Sequence, residues 1–470
     1  MLEKKIKTAA FHNLGCKVNS YELEVMQQEL EKKGCQIVPF DTEADIYIIN
    51  TCTVTNIADR KSRQMLHRAK HKNPDAVVVA VGCYVQTGGE RVQQDECIDL
   101  AIGNNCKKDL IPILEAYLEE REKDQNLSKQ DKTLNHTSVI DINHTNEYEE
   151  MKLEQAGEHT RAYIKIQDGC NQFCSYCIIP YARGRVRSRR QEDVLSEIRG
   201  LAANGYQEVV VTGIHLSSYG MDFIGTNDGD YLEGGKDLRG TAFKRAYLIS
   251  LIEEIAKIEG IERIRLGSLE PRIITDDFVS RLAAVKKVCP HFHLSLQSGC
   301  DATLKRMNRR YTAQEYYEKV EVLRRYYENP AITTDVIVGF PGETPKEFEE
   351  TCAFLEKVHF FEMHIFKYSR RQGTVADRMP DQLTEKQKTE RSARLLEMEA
   401  KHSGEYRASY IGKEISVLAE EKKLIDGKWW WIGHTPTYVK AAFCAEGDWE
   451  NRIVTGTAAG FLTDEILIMH

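Results

Sequence analysis

The chain has 470 residues and a formal net charge of −8. At roughly 150 residues per domain, that length suggests about three domains. The acidic total excludes a general polycation, so any nucleic-acid contact must come from local basic patches. The amino terminus, "MLEKKIKTAAFHNLGC", has lysines but no apolar core of a secretory signal. No run reaches the ~18 apolar residues of a membrane span. The expectation is a cytoplasmic protein without a membrane segment. In that compartment thirteen cysteines are thiols or metal ligands rather than a disulfide framework.

In chain order, "KTAAFHNLGC", "DIYIINTC" and "AVVVAVGC" read as buried strands of a parallel sheet. Between them, "NSYELEVMQQELEKKG" and "NIADRKSRQMLHRAKHKNP" read as helices stopped by Gly34 and Pro74. Residues 1–120 are therefore an α/β domain with a doubly wound parallel sheet. Residues 121–158 are polar and charged and read as a linker, with one short strand in "SVIDI". A second series follows over 159–404. Its strands are "RAYIKIQ", "EVVVTGI", "RIRLGSL", "HFHLSLQ", "ITTDVIVGF" and "FEMHIFKYS". Six βα units make an open, partial (β/α)6 barrel, because a closed one needs eight. The Gly/Asp-rich stretch 220–240 interrupts the series and reads as a loop on its active face. From 405 to 470 short strands separated by turns predict a small β-barrel like OB-type RNA-binding modules. A monomer is expected, since each domain would bury its own core.

Cys170, Cys174 and Cys177 stand at a C-x₃-C-x₂-C spacing just after the first strand of the second series. A structural zinc site would need a fourth ligand, and none is evident nearby. A redox dithiol would use only Cys174 and Cys177, and plain packing is the remaining bland alternative. An iron–sulfur cluster fits best, because three thiolates on a four-iron cluster leave one iron open for chemistry. A second set is formed by Cys16, Cys52 and Cys83. Each closes a predicted parallel strand, at the sheet edge where ligands of such folds bind. The alternatives there are buried core cysteines or zinc. The other seven cysteines share no pattern and are expected in core or surface.

The run "ARGRVRSRR" supplies Arg183, Arg185, Arg187, Arg189 and Arg190 beside the cysteine loop. Read as an extended segment, it puts the first four on one face, suited to phosphate and stacked bases. A solvated loop pairing with nearby acids is the alternative. Of the consecutive Trp429, Trp430 and Trp431, at least one must be core. Gly213, Ser268, Gln297, Gly339 and Gly342 lie at carboxyl ends of predicted strands, where a barrel's ligand belongs. His215, on the same rim, is more readily structural than catalytic.

The spacing "GCNQFCSYC" followed by parallel βα units resembles the radical S-adenosylmethionine (SAM) enzymes. With "LGCKVNSYE", "NTCTVTNIADRKSRQ", "VVAVGCYVQ", "TGIHLSSYG", "SLQSGCDATLKRMNR", "TDVIVGFPGET" and "FKYSRRQGT", the whole chain resembles the methylthiotransferases. "GCKVNSYE" and "NTCTVTN" are most similar to the branch acting on threonylcarbamoyl-adenosine in tRNA. The branches acting on isopentenyl-adenosine or on a ribosomal-protein aspartate are the alternatives. The resemblance implies two 4Fe–4S clusters, an auxiliary one on Cys16, Cys52 and Cys83 and a SAM-binding one on Cys170, Cys174 and Cys177. It implies SAM as methyl donor and radical source, a TRAM-like terminal domain, and no catalytic residue beyond the cluster ligands. The implied partners are a tRNA anticodon stem-loop and an electron donor such as flavodoxin or ferredoxin.

Overall fold

The computed structural model describes residues 6–123, 136–154, 160–223 and 241–470. Most of the Gly/Asp-rich stretch expected as a loop on the active face therefore lies outside the described residues. The chain forms two compact units. One comprises residues 1–157, 165–190 and 369–377, and the other 158–164, 191–368 and 378–470.

The first unit is built on a six-stranded sheet. Its order is Gln36–Val38, Thr8–Asn13, Ile46–Thr51, Val77–Gly82, Leu100–Ile102, His136–Ser138. All neighbouring pairs are parallel. Ile46–Thr51 and Val77–Gly82 are buried along their whole length, which is why they read as continuous apolar runs. The helix Lys17–Lys32 packs through Val18, Tyr21, Val25 and Leu30. The helix Asn56–Lys72 packs through Leu66 and Ala69 and is capped by the Thr55 side chain. Strand order reverses after Thr8–Asn13, so the topological switch point lies between that strand and Ile46–Thr51.

The polar stretch read as a linker takes a different course. His136–Ser138 pairs with Leu100–Ile102 at the sheet edge, two residues before the "SVIDI" expectation. Beyond it Glu149 is buried and accepts the backbone N–H groups of Asn105 and Lys108. Composition alone misses this, because in a polar stretch only Ile142, Met151 and Leu153 are buried apolar anchors and the rest is held by hydrogen bonds such as those to Glu149.

In the second unit, Glu208–Gly213 pairs in parallel with Arg263–Leu266, and His291–His293, Ala331–Val338 and Glu362–Lys367 form a parallel triplet. An isolated bridge between Leu269 and Leu294 joins the two groups. Ala162–Asp168, which begins in this unit, follows Glu208–Gly213 in strand order. These are the six expected strands of a partial barrel. Three of the helices begin with complete capping boxes, at Thr312, Thr344 and Thr384.

Residues 414–469 form a closed five-stranded barrel. Trp431 is buried in the barrel core and Trp430 in a separate cluster with Ile432 and Ala442, on opposite faces as strand alternation requires, while Trp429 is 57% exposed. This barrel is fastened to the amino-terminal ends of the parallel strands. Arg265 donates to Glu208 Oε1 at 2.8 Å, to the Pro436 carbonyl at 2.8 Å and to the Thr435 carbonyl at 3.1 Å. Tyr438 stacks between His291 and His434, with centroids at 4.8 and 4.5 Å. Arg265→Met would leave Glu208 buried with less compensation and two carbonyls without these donors. It should cost about 3–5 kcal/mol, measured as a lower denaturant midpoint for the second unit.

Candidate metal centre

Cys16, Cys52 and Cys83 follow three adjacent strands of the first unit at their carboxyl ends, and Cys16 and Cys52 flank the switch point. The turn into Cys16 depends on Gly15, whose φ is +109°. A Cβ there would stand 3.1 Å from Cys52 Cβ and 3.2 Å from its sulfur. Asn19 ties the turns together, donating to the Leu14 carbonyl at 2.7 Å and the Thr51 carbonyl at 3.1 Å. Burial pushes the Cys52 thiol up to about 12, with Cys83 and Cys16 adding to it. Burial also raises Cys16, with Cys83 again contributing. Thiols such as Cys16 and Cys52, costly to ionise alone, suit a shared metal group that replaces their protons.

The second set is held in a loop closed on itself. It leaves the strand Ala162–Asp168 and returns through Arg187–Ser188, which pairs antiparallel with Gln167 and Asp168. Gly169 has φ +72°, and a Cβ would sit 1.8 Å from the Arg185 carbonyl oxygen, so glycine is required there. Cys170 N–H donates to the Gly184 carbonyl at 3.0 Å and Cys177 N–H to the Cys174 carbonyl at 2.9 Å. Cys170, Cys174 and Cys177 are half-buried, as is Tyr176 beside them. Each set offers three thiols, one short of a closed tetrahedral zinc site, and so suits a multi-iron cluster with one iron left open. The remaining cysteines are buried, apart from half-buried Cys97 and exposed Cys444.

Between the two sets lies a fully buried ion network. Glu22 accepts from Lys107, Lys165 and Arg183, each at 2.7 Å. Asp168 accepts from Lys165 at 2.7 Å and Arg183 at 3.1 Å. Arg183 Nη2 also donates to Asn19 Oδ1 at 2.6 Å, and Nε donates to the Cys83 sulfur at 3.3 Å. Lys107 donates to Asn104 Oδ1, and Asn104 Nδ2 in turn donates to the Cys83 sulfur at 3.5 Å. Burial opposes ionisation of both carboxyls, but the surrounding cations outweigh it and hold them well below the usual carboxylate range.

This network corrects the reading of the arginine run. Ile179–Arg183 is helical rather than extended, and the chain turns at Gly184. Arg183, Arg187 and Arg189 are buried. Arg187 donates to the Arg185 carbonyl and lies 3.9 Å from Asp168, while Arg189 pairs with Glu150. A buried guanidinium cannot grip a phosphate, and only Arg185 and Arg190 of the run are exposed. The Arg185 guanidinium lies 4.6 Å from the centre of the Phe173 ring. A sequence signal existed: Glu22 shares the buried helix face of Val18, Tyr21 and Val25 and needs a buried partner.

The positions expected to contact SAM lie in the second unit. Gly213 and Gly342 are half-buried, Ser268 is exposed, and Gln297 has φ +74° and is buried. Gly339 has φ +71°, and a Cβ there would lie 2.4 Å from Lys388 Cγ, so the position requires glycine. His215 is half-buried, 2.7 Å from Ser218 Oγ, and desolvation lowers its pKa to about 4, so it is neutral at pH 7. The sequence reading missed a polar cluster. His293, Asp335 and His364, on three neighbouring strands, bring their polar atoms within 4.8 Å of one another. Strand alternation through "HFH", "TTD" and "EMH" carries that signal.

The ion network has a pH signature. Because the folded pKa values of Glu22 and Asp168 are depressed, their stabilisation is complete above the unfolded values near 4. It is lost as pH falls through the folded values. Glu22→Gln should cost about 3–5 kcal/mol near neutrality and should flatten the acid limb of stability, measured by urea unfolding across pH.

Residues 164–355 match the radical SAM superfamily, and residues 8–103 match the uncharacterised protein family UPF0004. The chain is 38% identical over 448 residues to the threonylcarbamoyladenosine tRNA methylthiotransferase MtaB of Bacillus subtilis, covering 95% of this chain and 92% of that protein. It is 34% identical to the tRNA-2-methylthio-N(6)-dimethylallyladenosine synthase of Acetivibrio thermocellus, covering 88% and 81%. Among solved structures, the radical SAM methyltransferase TsrM of Kitasatospora setae aligns with a TM-score of 0.53 at 15% identity, over 79% of this chain and 74% of that one, a likeness of fold alone. Full-length similarity together with two cysteine sets in one unit places the chain in the radical SAM methylthiotransferase family.

Proposed function

We propose that this chain methylthiolates carbon 2 of threonylcarbamoyl-adenosine at position 37 of tRNA, next to the anticodon. The observation that carries the reading is that Cys16, Cys52 and Cys83 end adjacent strands of the same compact unit that holds the C-x₃-C-x₂-C loop. The cofactors are two 4Fe–4S clusters and SAM, and the chemistry they supply when bound is hydrogen abstraction from the adenine and donation of a methylthio group. Cys16, Cys52 and Cys83 hold the auxiliary cluster, and Cys170, Cys174 and Cys177 hold the one that binds SAM. Gly213, Ser268, Gln297, Gly339 and Gly342 line the SAM site.

The protein's own part is to bind and orient. His293, Asp335 and His364 offer a polar surface that suits the threonylcarbamoyl group, with its carboxylate and hydroxyl, better than a prenyl chain. RNA is held by exposed cations and an exposed ring: Arg185, Arg190, Lys422, Lys423, Lys428 and Trp429. In functional terms residues 1–120 carry the auxiliary centre, 159–404 the radical chemistry and 405–470 an RNA-binding barrel. The protein acts as a cytoplasmic monomer and takes electrons from a flavodoxin- or ferredoxin-type donor. Among the described residues no helix is long and apolar enough to cross a membrane.

The test is nucleoside mass spectrometry of tRNA from cells with and without the gene. Methylthio-threonylcarbamoyl-adenosine should vanish on deletion and return with the wild-type gene. Neither Cys83→Ala nor Cys174→Ala should restore it, although purified Cys83→Ala should still cleave SAM to 5′-deoxyadenosine. Loss of methylthio-isopentenyl-adenosine instead would assign the chain to the branch of the second relative.

A further inference from the structure

We propose that Arg183 is a positioning residue of the auxiliary centre: its Nε–H donates to the Cys83 sulfur and makes a cluster held there easier to reduce. The inference rests on reading Cys16, Cys52 and Cys83 as ligands. Arg183 is fully buried, and its three nitrogens all have acceptors. Nη1 is fixed by Glu22 and Asp168, and Nη2 by Glu22 and Asn19. The remaining donor, Nε, therefore points at the sulfur and has no other place to go. Glu22 is itself held by Lys107 and Lys165, so the guanidinium cannot swing away without breaking the network.

Two features make this more than packing. A guanidinium stays charged at any working pH, so Cys83 faces a permanent positive charge at hydrogen-bond distance. Asn104 Nδ2 adds a second donor to the same sulfur at 3.5 Å. Hydrogen bonds and net charge at ligand sulfurs set cluster potentials, and both favour the more negative, reduced state. Arg183 also belongs to the loop that carries Cys170, Cys174 and Cys177, six residues beyond the last of them. One side chain of one cysteine loop thus tunes a ligand of the other.

The test uses the full chain, reconstituted anaerobically with iron and sulfide, carrying Cys170→Ala, Cys174→Ala and Cys177→Ala so that only the auxiliary cluster titrates. Arg183→Met should lower its electron affinity about tenfold or more, a shift of about 59 mV to more negative potential for a one-electron couple. Arg183→Lys keeps the charge but loses Nε–H, and should shift less in the same direction. It decides the question if Arg183→Met does not fold. Arg189→Met removes a buried arginine paired with Glu150 and should leave the potential unchanged. Unshifted potentials in the Arg183 variants, or an equal shift in Arg189→Met, overturn the proposal while the ligand reading stands. Failure of the parent to take up any cluster overturns the ligand reading and the proposal with it.

Discussion

The first unit depends on a guanidinium that has left water. Taking Arg183, Lys107, Lys165, Glu22 and Asp168 out of solvent carries a desolvation penalty of several kcal/mol per ion. That penalty is met only because every charge has an opposite partner within about 3 Å. Such a network has little freedom to rearrange. Glu22 comes from the helix after the first strand, Lys107 from the turn after the fifth, and Asp168 and Arg183 from the two ends of the cysteine loop. Satisfying the charges therefore brings both cysteine sets into one body, and the specificity of the arrangement follows from the cost of breaking it.

Topology supplies the other half. Parallel strands leave their carboxyl ends in line, and the reversal of strand order opens a crevice beside Cys16 and Cys52. In the second unit, the closed β-barrel is bonded to the amino-terminal strand ends through Arg263, Arg265 and Tyr438. That leaves the carboxyl ends, with Gly213, Ser268 and Gln297, for ligands. The polar cluster of His293, Asp335 and His364 sits between these two ends.

Much of this was legible in the sequence, for a physical reason. Strands buried on both faces must be apolar throughout, so "DIYIIN" and "AVVVAV" stand out, and the cysteines that end them mark the ligand edge. Three-residue strands such as Gln36–Val38 and Leu100–Ile102 carry too few side chains for a pattern to show. The arginine run misled because charge density does not report burial. Only the partner, Glu22 on a buried helix face some 160 residues away, reveals that Arg183 turns inward. Residues 136–154 misled in the same way, since a buried glutamate satisfied by backbone N–H groups looks like any polar linker residue.

The central claim is that two iron–sulfur centres occupy one compact unit and meet through the Arg183 network. Its most direct test is electron paramagnetic resonance of the reduced, fully reconstituted protein, set beside the Cys16→Ala/Cys52→Ala/Cys83→Ala and Cys170→Ala/Cys174→Ala/Cys177→Ala proteins that keep one centre each. Two neighbouring paramagnets should give a spectrum broadened or split by their interaction, which the two single-centre spectra cannot reproduce by addition. A spectrum equal to their simple sum would mean isolated centres and would contradict the account.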